Sequence, residues 1–264
     1  GGRDRMIAPW LASMSLLLAF AAALPAQTAT GFLDRTVAVG TLRMPYQVFV
    51  PLTYDGHRKL PVILFMHGSG ERGSDGLKQT QVGMPSQIRW HRDWFDAIVV
   101  MPQCPDDSVF RGVVAQAAFA ALEKSVKEFH GDRERLYVTG LSMGGYGVWQ
   151  QLVDHPGVFA AAVTVSGGLT ASADMANLFV DTKGEEPFGY VAQRAKDLPL
   201  WIFHGAQDDV VPVAQDRALV DSLRAAGASP RYTEYPDVGH GAWDKAYGDE
   251  ELWAWLFAQR LSRR

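Results

Sequence analysis

Four short, almost uninterrupted apolar runs limit the folds open to this chain: Pro61–Met66, Ala97–Met101, Ala161–Val165 and Leu200–Phe203. Each is strand length and lacks the alternating polar residues that would face water. They therefore read as strands covered on both faces, as parallel sheets require. Leu136–Thr139 and Arg231–Tyr235 add two more strands. At the front, Thr36–Val39 and Tyr46–Val50 flank Gly40 and read as a hairpin. Val113–Phe129, Met143–Val153, Val213–Ala226 and Asp249–Gln259 have helical spacing, and Gly227 closes the third of them. Strands alternating with helices predict an α/β domain with a central, mostly parallel eight-stranded sheet and helices on both faces. The polar stretch Gly167–Leu198 has no clear periodicity and is expected to cap a site as a short lid.

The N-terminus has a different character. Arg3 and Arg5 precede an apolar run from Trp10 to Leu24, and small residues follow it. This is the pattern of a secretory signal peptide, predicted over residues 1–26, with Ala29 as the second choice of cleavage position. The run is about 15 residues, short of the roughly 20 that span a bilayer, so no stable membrane anchor is expected. No cysteine follows it to carry a lipid. The expectation is a secreted or periplasmic protein whose catalytic domain occupies residues 27–264.

Composition removes several function classes. Of 264 residues, 47% are hydrophobic and 20% charged, with a formal net charge of −4. A phosphate-binding surface usually needs a Lys/Arg excess, so no nucleic-acid partner is expected. Cys104 is the single cysteine, so an internal disulfide and a cysteine-based metal site are both excluded. No metal-binding or phosphate-loop pattern occurs, and no cofactor or metal is expected.

One motif carries chemistry. Gly140-Leu141-Ser142-Met143-Gly144 matches G-x-S-x-G and lies between a predicted strand and a predicted helix. A strand that turns at once into a helix holds its middle residue in a strained conformation. The flanking glycines allow close approach, the hydroxyl is pushed out at the sheet edge, and the helix N-terminus favours developing negative charge. Ser142 is the candidate nucleophile.

A nucleophilic serine needs a base and an acid that orients it, expected in the chain order Ser, acid, His. Three histidines follow Ser142. His155 reads as a helix-end residue and His204 as a structural residue ending a strand. His240, in a loop flanked by Gly239 and Gly241 after the last strand, is the candidate base. Asp208 and Asp209 both lie just past the Leu200–Phe203 strand, where sites in open α/β sheets form. The oxyanion donors are expected to be the backbone N–H of Met143 and one from His67-Gly68-Ser69-Gly70, assigned to Ser69 with Gly70 as the alternative. Trp243, three residues after His240, is a candidate pocket wall. Cys104 and Trp149 read as packing residues.

The same early loop contains a decoy. Gly68-Ser69-Gly70-Glu71-Arg72-Gly73 reads as the dinucleotide fingerprint G-x-G-x-x-G. That fingerprint needs a helix opening directly and an acid at the end of the next strand. Ser74-Asp75-Gly76 opens no clean helix, and Asp93 and Asp96 precede the Ala97–Met101 strand.

From about Thr36 to Arg260 the chain resembles the α/β-hydrolase superfamily, and within it the small exported esterases of the predicted-peptidase and phospholipase/carboxylesterase-like group. The resemblance rests on His67-Gly68-Ser69-Gly70-Glu71-Arg72-Gly73, Pro102-Gln103-Cys104-Pro105, Gly140-Leu141-Ser142-Met143-Gly144-Gly145, the run from His204 to Pro212, and Gly239-His240 with Trp243, Asp244 and Tyr247. It implies that the acid is Asp208, four residues after His204. It also implies a serine carboxylesterase acting on short or medium acyl esters or on aryl esters, small or polymer-linked. A small serine peptidase of the same fold is the alternative reading. Dienelactone hydrolases and dehalogenases are similar but carry Cys or Asp at the elbow, against which Ser142 argues.

Overall fold

A computed structural model describes residues 28–261 of the chain. The predicted signal peptide lies outside the described residues. Eight strands form one sheet: β1 (Gly31–Val39), β2 (Leu42–Val50), β3 (Val62–Met66), β4 (Ile98–Pro102), β5 (Leu136–Leu141), β6 (Ala161–Val165), β7 (Leu200–Gly205) and β8 (Arg231–Tyr235). Their order across the sheet is β1-β2-β4-β3-β5-β6-β7-β8. The β1–β2 and β2–β4 pairs are antiparallel, and every pair from β4 to β8 is parallel. This is the expected α/β-hydrolase sheet.

The apolar runs are continuous because both faces are covered. Along β3, Val62, Leu64 and Met66 enter one core while Ile63 and Phe65 enter the other. The period of two makes adjacent side chains point to opposite faces. The first core is closed by α2 (Val113–Glu128), α3 (Met143–Asp154), α4 (Pro187–Ala195) and α5 (Ala214–Ala225). The second is closed by α1 (Met84–Trp90), α6 (Trp243–Tyr247) and α7 (Glu250–Phe257).

The sequence expectations need several corrections. The hairpin strands are longer than predicted and meet at Gly40, whose φ of 57° suits a tight turn. The helix α1 was not expected: it is only 7 residues long and follows Gly83, whose φ is 75°. Gly167–Leu198 is irregular as far as Glu186, apart from a bridge between Ser172 and Met175, but it carries an unexpected helix and is anchored in the core. Leu169, Leu178, Val180, Val191, Ala192 and Ala195 from this stretch are buried in the first core. Its helix α4 begins at Pro187, and the Glu186 carboxylate caps it by accepting from the N–H groups of Phe188 and Gly189. Among the described residues no helix is long and apolar enough to cross a membrane.

Candidate active site

The elbow is built from close backbone approach. Ser142 follows β5 directly and sits at φ 51°, ψ −119°, with α3 starting at the next residue. A Cβ on Gly140 would strike the Gly144 carbonyl, and one on Gly144 would strike the carbonyl oxygen of Met66. The glycine spacing therefore records how tightly α3 is pressed on the ends of β3 and β5. The Ser142 N–H donates to the Val165 carbonyl at 2.9 Å, tying the elbow to β6.

The structure brings Ser142, His240 and Asp208 together at the C-terminal edge of the sheet. His240 Nδ1 lies 2.8 Å from Asp208 Oδ2, and Nε2 lies 2.8 Å from Ser142 Oγ. An ionised carboxylate only accepts, so Nδ1 carries the hydrogen and Nε2 is free to accept from the serine hydroxyl. The Asp208 side chain is fully buried, whereas His240 keeps 18% of its side chain exposed. Asp208 Oδ1 accepts from the N–H groups of Val210 and Val211, both at 2.9 Å. Burial works against its charge, but hydrogen bonds from His204, His240 and those two amides hold its carboxyl well below the usual range. Asp209 is exposed.

His240 is positioned through its backbone. Ser166 Oγ donates to the His240 carbonyl at 2.9 Å, and the Gln207 N–H donates to the Val238 carbonyl at 2.9 Å. Gly205, ending β7, fits directly beneath the Val238 and Gly239 carbonyls, where a Cβ would collide. Trp243, the first residue of α6, stands edge-on to His240 with ring centroids 5.2 Å apart at 89°.

The expected oxyanion donors fall at two helix starts. Met143 opens α3 and Ser69 opens a 3-10 turn over Ser69–Glu71, with Gly70 beside it. N–H groups at the start of a helix have no partner within it. The Ser69 loop is clamped from below. His67 Nδ1 contacts the Gly68 carbonyl at 2.6 Å, and the Cys104 N–H donates to His67 Nε2 at 2.9 Å. Burial pushes the His67 pKa down to about 4, so the ring stays neutral and accepts this hydrogen bond. Gln103 adds its amide to the Glu71 carbonyl and to the Asp75 carboxylate. Burial drives the Cys104 thiol up to about 12, which makes it a packing group. The glycines that mimic a dinucleotide fingerprint thus form part of this clamped loop.

His155 caps the C-terminus of α3 and stacks on Phe119. His204 does not reach Ser142. It lies buried behind Asp208, with Nδ1 2.7 Å from Asp216 Oδ2 and Nε2 2.9 Å from the Val211 carbonyl oxygen. Sequence reasoning missed Asp216 and Ser166. Asp216 is on α5, 12 residues from its partner, so no local motif announces it. A cavity of about 730 Å³, lined by His155, Phe159, Arg194 and Leu198 among others, opens at the opposite end of the sheet from Ser142. Among the described residues no group of three or more His, Cys, Asp or Glu is arranged to hold a metal ion.

The chain is similar to a family profile, a solved structure and two curated proteins. Residues 111–261 match the sequence profile described as the prolyl oligopeptidase family. A solved thermostable esterase is 33% identical and superposes with a TM-score of 0.74, covering 87% of this chain and 63% of that one. Among curated proteins, an uncharacterized secreted protein of Arthroderma benhamiae is 26% identical over 77% of this chain, and carboxylesterase SOBER1 of Arabidopsis thaliana is 23% identical over 61%. The chain spans 23% of the Arthroderma protein and 66% of SOBER1.

Proposed function

Since the chain belongs to the prolyl oligopeptidase family, we propose that it is a secreted serine hydrolase cleaving carboxylic esters through an acyl-enzyme. The observation that carries this reading is the unbroken chain of contacts from Ser142 Oγ through His240 to Asp208, at 2.8 Å on each side of the imidazole. Ser142 attacks the ester carbonyl while His240 Nε2 takes its proton. Asp208 keeps the ring in the required tautomer and stabilises the imidazolium. The negative charge that develops on the carbonyl oxygen meets the N–H groups of Met143 and Ser69. A donor of this kind is worth about 10²–10³ in rate. The alkoxide leaves with the proton from His240, and water then repeats the sequence on the acyl-enzyme.

Ester substrates are preferred on similarity: the thermostable esterase is 33% identical, and the matched Arabidopsis protein is a carboxylesterase. Short or medium acyl esters and aryl esters, small or polymer-linked, are the proposed range. Secretion is supported by the basic, apolar and small-residue order at the N-terminus and by the match to a secreted protein. The family description favours a second reading, a peptidase acting on small peptides.

Purified protein is assayed on p-nitrophenyl esters from acetate to dodecanoate beside a panel of peptide p-nitroanilides, with Ser142→Ala as the blank. Ester turnover that disappears in the variant, without anilide cleavage, is expected. Anilide cleavage at comparable efficiency moves the reading to a peptidase. Full ester turnover in Ser142→Ala removes the assignment of the nucleophile.

A further inference from the structure

The acid of the candidate triad has a second ionisable pair behind it. His204 and Asp216 are both fully buried. His204 Nε2 faces two oxygens, the Val211 carbonyl at 2.9 Å and Asp208 Oδ2 at 3.1 Å. A carbonyl only accepts, so Nε2 carries a hydrogen. On the other side, Nδ1 lies 2.7 Å from Asp216 Oδ2, too close for both atoms to be bare. One proton therefore sits between His204 and Asp216. The remaining oxygen of Asp216, Oδ1, is buried without a hydrogen-bond partner. A lone carboxylate in that position is costly, and the cost falls when an adjacent imidazolium balances its charge.

We infer that His204 and Asp216 act as positioning residues: a buried imidazolium, held by Asp216, competes with His240 for the charge of Asp208 and keeps the base free of its proton to lower pH. The inference rests on the proposed roles of Ser142, His240 and Asp208. Its geometric basis is that both imidazoles converge on the same oxygen, Asp208 Oδ2, at 2.8 Å from His240 and 3.1 Å from His204. A cation at that distance lowers the attraction Asp208 exerts on a second cation at His240. Burial opposes the charge on both partners and pushes the Asp216 carboxyl up, but the two aspartates that converge on His204 outweigh its own desolvation and raise its pKa to about 10, which places the shared proton on the imidazole.

The charged groups around the pair come from every neighbouring element. Asp208 precedes α5, and Asp216 is on it. Glu234 on β8 feels the His204 charge, but Arg217 neutralises it through a 2.5 Å ion pair. Tyr232 on β8 donates to Glu234, and Tyr146 on α3 is raised to about 12, mainly by burial. The two aspartates are therefore the uncompensated charges that face His204.

The first test uses Asp216→Asn. The amide donates to Nδ1 and leaves the Nε2–H pointing at Val211, so the contacts survive while the positive charge on His204 is lost. Asp208 then holds a proton on His240 more strongly. The acidic limb of the kcat/KM profile on p-nitrophenyl ester is expected to move to higher pH, by an amount on the order of one pH unit. The double variant His204→Gln/Asp216→Asn removes the same charge with two neutral amides, and its limb should move equally. A limb that stays put in a folded variant, or moves to lower pH, overturns the inference. A direct readout on the unaltered chain needs neither activity nor a variant. Nitrogen-15 NMR of its histidines should show His204 doubly protonated from pH 6 to about 9, the range set by its raised pKa. A neutral His204 at pH 7 refutes the imidazolium even if the esterase reading stands. Loss of the esterase reading in the Ser142→Ala assay leaves this NMR result unaffected.

Discussion

Ser166 Oγ donates to the backbone carbonyl of His240 across 2.9 Å, so the loop carrying the candidate base hangs from the residue that follows β6. Ser166 itself is held at φ 49°, a conformation rare outside glycine, which aims its side chain across the sheet edge. Ser166→Ala is expected to cost about 1 kcal/mol of stability from the lost hydrogen bond. Displacement of the base matters more: a misplacement near 1 Å costs about 10²-fold, so kcat should fall by about ten- to a hundredfold with KM little changed. Steady-state kinetics on p-nitrophenyl acetate beside a thermal melt separates the two effects. A parallel rise in KM would mean that Ser166 shapes the pocket instead.

Asp208 and Asp209 are adjacent in sequence but differ in environment. Asp208 is buried with His240 Nδ1 on its Oδ2, while Asp209 faces solvent. Asp208→Asn leaves the shape but favours the wrong tautomer of His240, so kcat should fall by about 10⁴. Asp209→Asn should change turnover less than about twofold, as surface substitutions usually do. Equal losses would reject Asp208 as the orienting acid.

Gly144 and Gly157 separate steric collision from backbone strain. A Cβ at Gly144 would collide with the Met66 carbonyl oxygen, which belongs to rigid sheet backbone. Gly144→Ala should therefore cost several kcal/mol or prevent folding. Gly157 has φ 75° and open space around it, so Gly157→Ala should cost only about 1–3 kcal/mol from strain. Thermal melts of the two variants give the comparison. A well-folded Gly144→Ala protein would mean that the elbow is looser than its geometry indicates.

Two buried histidines set opposite flanks of the stability profile. The folded-state pKa of His204 is raised from 6.5 to about 10, so its contribution is complete below pH 6.5 and is lost as pH rises through 10. The folded-state pKa of His67 is depressed from 6.5 to about 4 by burial, so the unfolded chain takes up its proton first and stability falls from pH 6.5 down through 4. Melting temperature should therefore decline on both sides of a plateau near pH 6.5. Each kcal/mol lost should appear as roughly 2–4 °C in a domain of this size. In His204→Gln the alkaline decline should flatten while the acid decline persists. A decline of unchanged steepness would show that another group governs the alkaline side.

What could be read beforehand follows from how locally each feature is encoded. The central strands β3, β4, β6 and β7 were legible because covering both faces leaves a nearly continuous apolar run. The elbow was legible because Gly140 and Gly144 record a close approach that tolerates no side chain. The helices α1 and α4 were not. Only Met84, Pro85 and Ile88 are buried in α1, and Gly189 interrupts the first turns of α4. Both helices are fixed by packing that the local pattern does not express. The same limit applies to Asp216. Its meeting with His204 depends on where α5 settles against β7, and one buried carboxylate on an otherwise ordinary helix gives no periodic sign of a partner.

Position 142 carries a tension of its own. At φ 51°, ψ −119° the backbone favours glycine, yet the chain places there the side chain on which its proposed chemistry depends. Every folded molecule therefore gives up on the order of 1 kcal/mol to keep a hydroxyl at the turn. A silenced Ser142→Gly chain would relax that strain and melt later than the active one. On the proposed chemistry, the fold carries this strain in exchange for a hydroxyl that a more stable glycine turn would lack.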